Sequence, residues 1–145
     1  MITKIPFQLI KIEDSGYHLL IEVKINMKKA HLLIDTGASK TVFDISKMAE
    51  YIQKEVFTDN EILSAGLGTN TLSSKSFILK NLTIGEFEII DYPAIVIDMQ
   101  HVSDSYEKLG LQAFDGVLGS DILYKFRASI DYKTKTLKLR KRKQV

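Results

Sequence analysis

The chain contains no cysteine and only two prolines, Pro6 and Pro93, in 145 residues. Without cysteine there is no disulfide framework, no thiol nucleophile and no thiolate zinc site. The three histidines, His18, His31 and His101, stand alone and lack metal-ligand spacing. Each reads as a solvated or strand-face residue, so no metal and no cofactor are expected. No apolar run approaches the length needed to cross a bilayer, and the stretch Met1-Ile2-Thr3-Lys4-Ile5-Pro6 lacks the apolar core of a secretory signal. The expectation is a cytoplasmic protein with no membrane partner, in which the Asn81-Leu82-Thr83 sequon carries no weight. Repeats, linkers and low-complexity segments are also missing. Hydrophobic residues at 45% and charged residues at 26% are ordinary for a globular chain, and the length suits one core. The reading is one domain over residues 1–140 and a basic tail over 141–145.

Charge is unevenly spread. The net charge is +2, yet residues 133–145 hold seven of the 20 Lys/Arg and no acid. The other 13 basic groups face all 18 acids, so residues 1–132 stand at −5. Such an end can meet nucleic acid or an acidic partner. No aromatic residues interleave the basic ones and no nucleic-acid motif accompanies them. That favours a solvated strand end and argues against nucleic acid as the partner.

Most of the chain has the period of strands. Phe7 to Ile12 reads as a first strand, and Ser15-Gly16 turns into a second over Tyr17 to Ile25. There Leu19, Ile21, Val23 and Ile25 alternate with Leu20, Glu22 and Lys24. Strands are also expected at Ala30 to Ile34, Thr41 to Phe43, Phe77 to Ile84 and Phe87 to Ile97. Pro93 suggests a bulge or an edge in the last of these. Ile130 to Tyr132 and Leu137 to Leu139 should pair as a hairpin. Over residues 44–55 the period changes: Ile45, Met48, Ala49 and Ile52 form a helical stripe, with Asp44 as N-cap. A second helix is expected to start near Asp104, where Asp104-Ser105-Tyr106-Glu107 reads as a capping box. Ile122 to Phe126 reads as a third short helix.

The segment that carries chemistry is Ile34-Asp35-Thr36-Gly37-Ala38-Ser39. It sets a carboxylate in a tight glycine turn directly after an apolar strand. Far downstream comes Asp115-Gly116-Val117-Leu118-Gly119-Ser120-Asp121-Ile122-Leu123, and then Phe126-Arg127-Ala128-Ser129-Ile130-Asp131-Tyr132. By itself an Asp-Thr-Gly is also an ordinary turn after a strand.

These three elements, in this order, resemble the retropepsin-like aspartic protease family, over roughly residues 30–140. The resemblance implies a mainly β, single-domain fold: a closed barrel or sandwich with a flap hairpin and two or three short helices. It implies hydrolysis of peptide bonds by an activated water, with Asp35 as the catalytic residue. Two carboxylates sharing one proton are needed for this chemistry. The chain has one such segment, so the resemblance implies a homodimer with one Asp35 from each copy. Thr36 and Gly37 become active-site supports. Gly37, Ala38 and Ser39 become substrate-binding residues, together with Gly66, Leu67 and Gly68 at the flap, and the substrate is an extended peptide or protein.

The chain departs from the viral pattern at two places. Viral members often pair an acid after the alanine with an arginine near the second glycine; here Ser39 and Ser120 stand there, so that ion pair cannot form. Viral members also build a sheet between subunits from their terminal strands. Two tails carrying Arg140 to Lys143 would oppose like charges, so the tail is expected outside the dimer interface. Two other readings stay open: a non-catalytic module of the same fold that binds a peptide or assembles a complex, and a chain whose basic tail is the functional element.

Overall fold

In the computed structural model, residues 1–12, 16–52, 57–60 and 74–142 are described. Eleven strands and three helices follow one another among them: β1 (Ile2–Pro6), β2 (Gln8–Ile12), β3 (Gly16–Ile25), β4 (Lys28–Ile34), β5 (Val42–Asp44), α1 (Ile45–Met48), β6 (Thr58–Asn60), β7 (Ser74–Ile84), β8 (Phe87–Ile97), α2 (Gln100–Lys108), β9 (Gly116–Leu118), α3 (Ser120–Lys125), β10 (Ser129–Asp131) and β11 (Thr136–Arg140).

One sheet runs β2-β3-β4-β9-β5-β8-β7-β6, and β3 pairs again with β7 at Lys24↔Thr83 and Ile25↔Leu82. That second pairing closes a ring of six strands, β3, β4, β9, β5, β8 and β7, into a barrel. Closure removes the edges that a long open sheet would expose. The interior is filled by Ile21, Val23 and Ile25 of β3, in strict alternation, and by Leu79, Leu82 and Ile84 of β7, whose alternation shifts by one residue between Leu79 and Leu82; all are buried. A separate three-stranded sheet, β1-β11-β10, packs Ile5, Leu137 and Leu139 onto the same core.

Leu20 lies on the face of β3 opposite Ile21, where the alternation expects water, yet it is buried. A second apolar cluster explains it. Ile10, Leu20 and Leu33 on the outer face of β2, β3 and β4 are covered by Tyr106 of α2 and by Phe114. The helix thus roofs one side of the barrel beside the end of β4.

The structure corrects the expected start of α2. The helix begins at Gln100, so Asp104 sits within it and caps nothing. Its entry is held from outside the helix. Asp98 Oδ1 accepts from Gln100 N at 3.0 Å, and Asp44 Oδ1 accepts from Met99 N at 3.2 Å. Asp44 is the N-cap of α1 as expected, accepting from Ser46 N at 3.1 Å, while its other oxygen accepts from Ser103 Oγ at 3.3 Å. A single buried carboxylate therefore ties the starts of two helices to the end of β5. Replacing it by alanine removes the acceptor of Ser46 N and Oγ, Met99 N and the buried Ser103 Oγ, and we expect Asp44→Ala to cost about 3 kcal/mol in a denaturant titration.

Two further points concern strands. The expected strand over Phe7 to Ile12 starts at Gln8, and a separate strand, β1, precedes it. Pro6 ends β1, and Phe7 N instead donates to Lys135 O at 3.0 Å. Around Pro93 the β7–β8 register keeps one offset from Ile84↔Phe87 to Lys75↔Val96 but skips the Lys80–Asp91 pair, where Asp91 takes a φ of 53°. Among the described residues, β8 has β7 as its single strand partner at the proline, the edge position that was one of the two expectations. The missing N–H of Pro93 is tolerated because the pairing of β8 with β5 begins only at Ile95.

Candidate active site

β9 lies between β4 and β5, parallel to the first and antiparallel to the second. The segment 35–41 links the two outer strands across the end of β9, so it is held from both sides and from below. Asp35 N donates to Leu118 O at 2.9 Å. Ala38 N returns to Asp35 O at 3.2 Å, and Gly37 N donates to Asp35 Oδ1 at 3.0 Å. Ser120 N donates to Ala38 O at 2.8 Å, joining the turn to the start of α3.

The close approach of the two segments requires glycine. A Cβ on Gly119 would lie 2.5 Å from the backbone carbonyl of Lys40, and one on Gly116 would lie 2.4 Å from Val42 O. Both positions belong to the second motif read from the sequence.

Three residues that the sequence reading did not single out brace the loop from beneath. Thr41 is fully buried; its hydroxyl accepts from Gly119 N at 2.9 Å and donates to Asp121 Oδ1 at 2.8 Å. Asp121 Oδ1 also accepts from Thr41 N at 2.9 Å, and Asp121 Oδ2 accepts from the Tyr92 hydroxyl. Burial, and after it the Asp121 carboxylate, pushes the Tyr92 hydroxyl far above the usual phenol range, so it stays a donor at any ordinary pH. Asp121 had a legible signal: an acid in the first turn of a helix directly after a glycine. Thr41 and Tyr92 had none, because their link to Asp121 exists only across the folded sheet.

Asp35, Thr36, Gly37 and Ser39 are exposed, and Ala38 is half-buried. Of the five, Asp35 and Thr36 line a cleft of about 250 Å³, and Gly37, Ala38 and Ser39 continue the turn beyond its lining. Its walls include Leu19, Leu33 and Ile130 beside Tyr17, His18 and Tyr132. His18 is oriented by a hydrogen bond between its Nδ1 and the Tyr106 hydroxyl of α2. Among the described residues, Asp35 Oδ2 and the Thr36 hydroxyl have no hydrogen-bond partner. Gly66, Leu67 and Gly68 lie outside the described residues.

A second acid sits on the other side of β4. Asp115 Oδ2 accepts from His31 N at 2.8 Å. Burial raises the pKa of Asp115 above the ordinary carboxylate range, opposed by that bond and by His31, Tyr51 and Lys47. The nearby Tyr51 hydroxyl is pushed up to about 12 by burial and by Asp115. A raised carboxylate pKa means that the folded state holds the proton more tightly than the unfolded one. The ionised group therefore costs stability at neutral pH, and the cost fades as pH falls through the raised value toward the unfolded one. We expect Asp115→Asn to be neutral or stabilising at pH 7, with the difference from wild type shrinking in acid, as read from melting curves across that range.

Comparison with known proteins adds the family. The family model described as aspartyl protease matches residues 21–122. The chain belongs to the aspartyl protease family. The match contains both motifs, the Asp35 turn and the Asp115 to Ile122 segment. No curated relative matches the sequence. Among solved structures, the chain is similar to a retropepsin-like aspartic protease from Rickettsia conorii, with a TM-score of 0.60, 18% identity, and 96% of this chain and 91% of the other covered. It is also similar to the retroviral protease-like domain of Ddi1 from Leishmania major, with a TM-score of 0.57, 16% identity, and 84% and 87% covered. At these identities the likeness is one of fold, and that fold is retropepsin-like.

Proposed function

We propose that this aspartyl protease family member is a homodimeric endopeptidase that cleaves extended peptides with a pair of Asp35 carboxylates, one from each copy. One observation carries the reading. The Asp-Thr-Gly turn is held from below, while Asp35 Oδ2 and the Thr36 hydroxyl, in exposed residues, have no partner among the described residues. A second copy facing the first would meet both groups.

In such a pair the two carboxylates share one proton, and their titration belongs to the pair. The ionised member takes a proton from water, the water attacks the scissile carbonyl carbon, and the protonated member donates to the carbonyl oxygen. Thr36 and Gly37 hold the carboxylates in place. Gly37, Ala38 and Ser39 line the path of the substrate backbone, and Gly66, Leu67 and Gly68 cover it from the flap. The apolar walls given by Leu19, Leu33 and Ile130 suit apolar side chains on either side of the cleaved bond. The domain proper spans residues 1–140, with the basic tail outside the dimer interface, and the protein works in the cytoplasm.

The test is cleavage of a diverse peptide library between about pH 4 and pH 7.5, alongside sedimentation of the same sample. Cleavage by a dimer supports the reading. A dimer that cleaves nothing, or a stable monomer, favours a peptide-binding module instead, since a lone exposed Asp35 has no partner acid.

A further inference from the structure

On β11 the buried residues are Leu137 and Leu139, so the alternation turns Lys138 and Arg140 to the other face of the three-stranded sheet. The end of this strand is held against the end of α3, because Arg140 N donates to Phe126 O at 2.6 Å. The chain leaves α3 through Arg127 in the left-handed region, at φ 46°. Together these features make a groove of about 690 Å³ lined by Lys125, Arg127, Arg140, Lys141 and Arg142, with Tyr124 standing 86% exposed on its rim.

None of the described residues that line this groove is an acid. Among the described residues, none of the five cations has an ion-pair partner; the pairs there are His31–Glu22 and Lys80–Asp91. Five like charges around one concave surface repel each other and focus a positive field into it. Three of the five are arginines, whose planar fork suits a carboxylate with two parallel bonds.

The neighbouring strand adds a second kind of complementarity. Met1 N and Lys141 O, and Lys141 N and Met1 O, are bonded at 3.1 and 2.9 Å. In an antiparallel ladder such pairs alternate, so Thr3 and Ile5 also bond across to β11, while Ile2 and Lys4 turn their N–H and C=O groups the other way. No strand pairs with that side of β1 among the described residues. Lys4 and Pro6 disfavour a second copy of β1 there, through like charge and a missing donor. An acidic strand meets no such repulsion.

We propose that this groove and the free edge of β1 form a docking site for an acidic, extended polypeptide segment. Its carboxylates sit among the arginines, and its backbone continues the β1-β11-β10 sheet. A nucleic acid would satisfy the charge but would leave the strand edge unused. The site is separate from the Asp35 cleft and does not depend on whether that cleft cleaves peptides.

The test is fluorescence anisotropy with three labelled probes of equal length: a peptide alternating Glu and Thr, one alternating Glu and Pro, and oligothymidylate. The Glu-Thr peptide is expected to bind with a Kd on the order of micromolar that weakens with added salt. The Glu-Pro peptide, which has half the backbone donors at equal charge, should bind at least about tenfold more weakly. The double variant Arg140→Glu with Arg142→Glu should lose at least about tenfold for Glu-Thr. Lys24→Glu with Lys108→Glu, which changes net charge equally on other surfaces, should leave binding as it was. Should the first pair fail to fold by circular dichroism, Lys125→Glu with Arg142→Glu replaces it. Equal loss in the groove and control variants, equal binding of the two peptides, tighter binding of oligothymidylate, or no binding of Glu-Thr would each overturn the proposal.

Discussion

Asp35→Asn is expected to abolish peptide cleavage and to leave the barrel unchanged. Asparagine keeps an oxygen that can accept from Gly37 N, so the turn retains its internal bond. Asp35 is exposed in the single chain, and an isosteric change at such a position alters stability by about 0.5 kcal/mol or less. What the variant loses is the ability to hold and release a proton beside the attacked carbonyl. Rates should fall by about 10³-fold or more. Circular dichroism and sedimentation of the variant separate this loss from unfolding or dissociation. A mixing experiment tests the shared site directly. If both carboxylates are required, equal amounts of wild type and variant in free exchange leave about a quarter of the dimers active. Half the activity would mean that each chain works alone.

Gly119→Ala is expected to produce the other large effect, on stability and activity together. The added methyl would meet Lys40 C and O at 2.5 Å and Thr41 N at 2.8 Å, all backbone atoms. No side-chain rotation relieves such a contact. Either α3 must withdraw from the loop, or the loop must rise from its bed. The first breaks the bond from Gly119 N to Thr41 Oγ1, and the second breaks that from Asp35 N to Leu118 O. A cost of about 3 kcal/mol is expected in chemical denaturation. Any folded fraction should cleave slowly, because a shift of the turn moves both carboxylates of the proposed pair. Gly110→Ala serves as the control for a glycine in open space: nothing lies within 4 Å of its added methyl, although its φ of +71° carries a strain of its own. A Gly119→Ala protein as stable as wild type would show that the loop is less tightly held than its contacts imply.

Much of this architecture was legible because it rests on short-range pattern. The two-residue alternation of β3, the tight turn after β4 and the N-cap at Asp44 are local properties, and each emerged where expected. The Asp35 turn and the Val117-Leu118-Gly119 segment were legible as motifs, since each needs particular small residues at fixed offsets. What escaped was what depends on elements meeting in space. Asp104 looked like a cap because its own neighbours fit the pattern, but the start of α2 is satisfied by Asp44, from 55 residues away. Leu20 read as an outward residue until α2 and Phe114 covered it. The brace of Thr41, Asp121 and Tyr92 spans three separate elements and leaves no periodic trace.

The placement of β9 has a consequence for how the protein comes into being. The bond from Thr41 N to Asp121 spans 80 residues, and the one from His31 N to Asp115 spans 84. Until the chain beyond residue 115 has been synthesised, β4 and β5 have nothing between them, and the turn carrying Asp35 has no floor. Such distant pairings form late and slowly, because the entropy of closing a long loop must be overcome before any contact rewards it. A ribosome-bound chain that has emerged only as far as β8 therefore carries Asp35 but not the strand that holds it in place. On this topology the Asp35 turn stays without its supporting strand until the segment after residue 115 arrives.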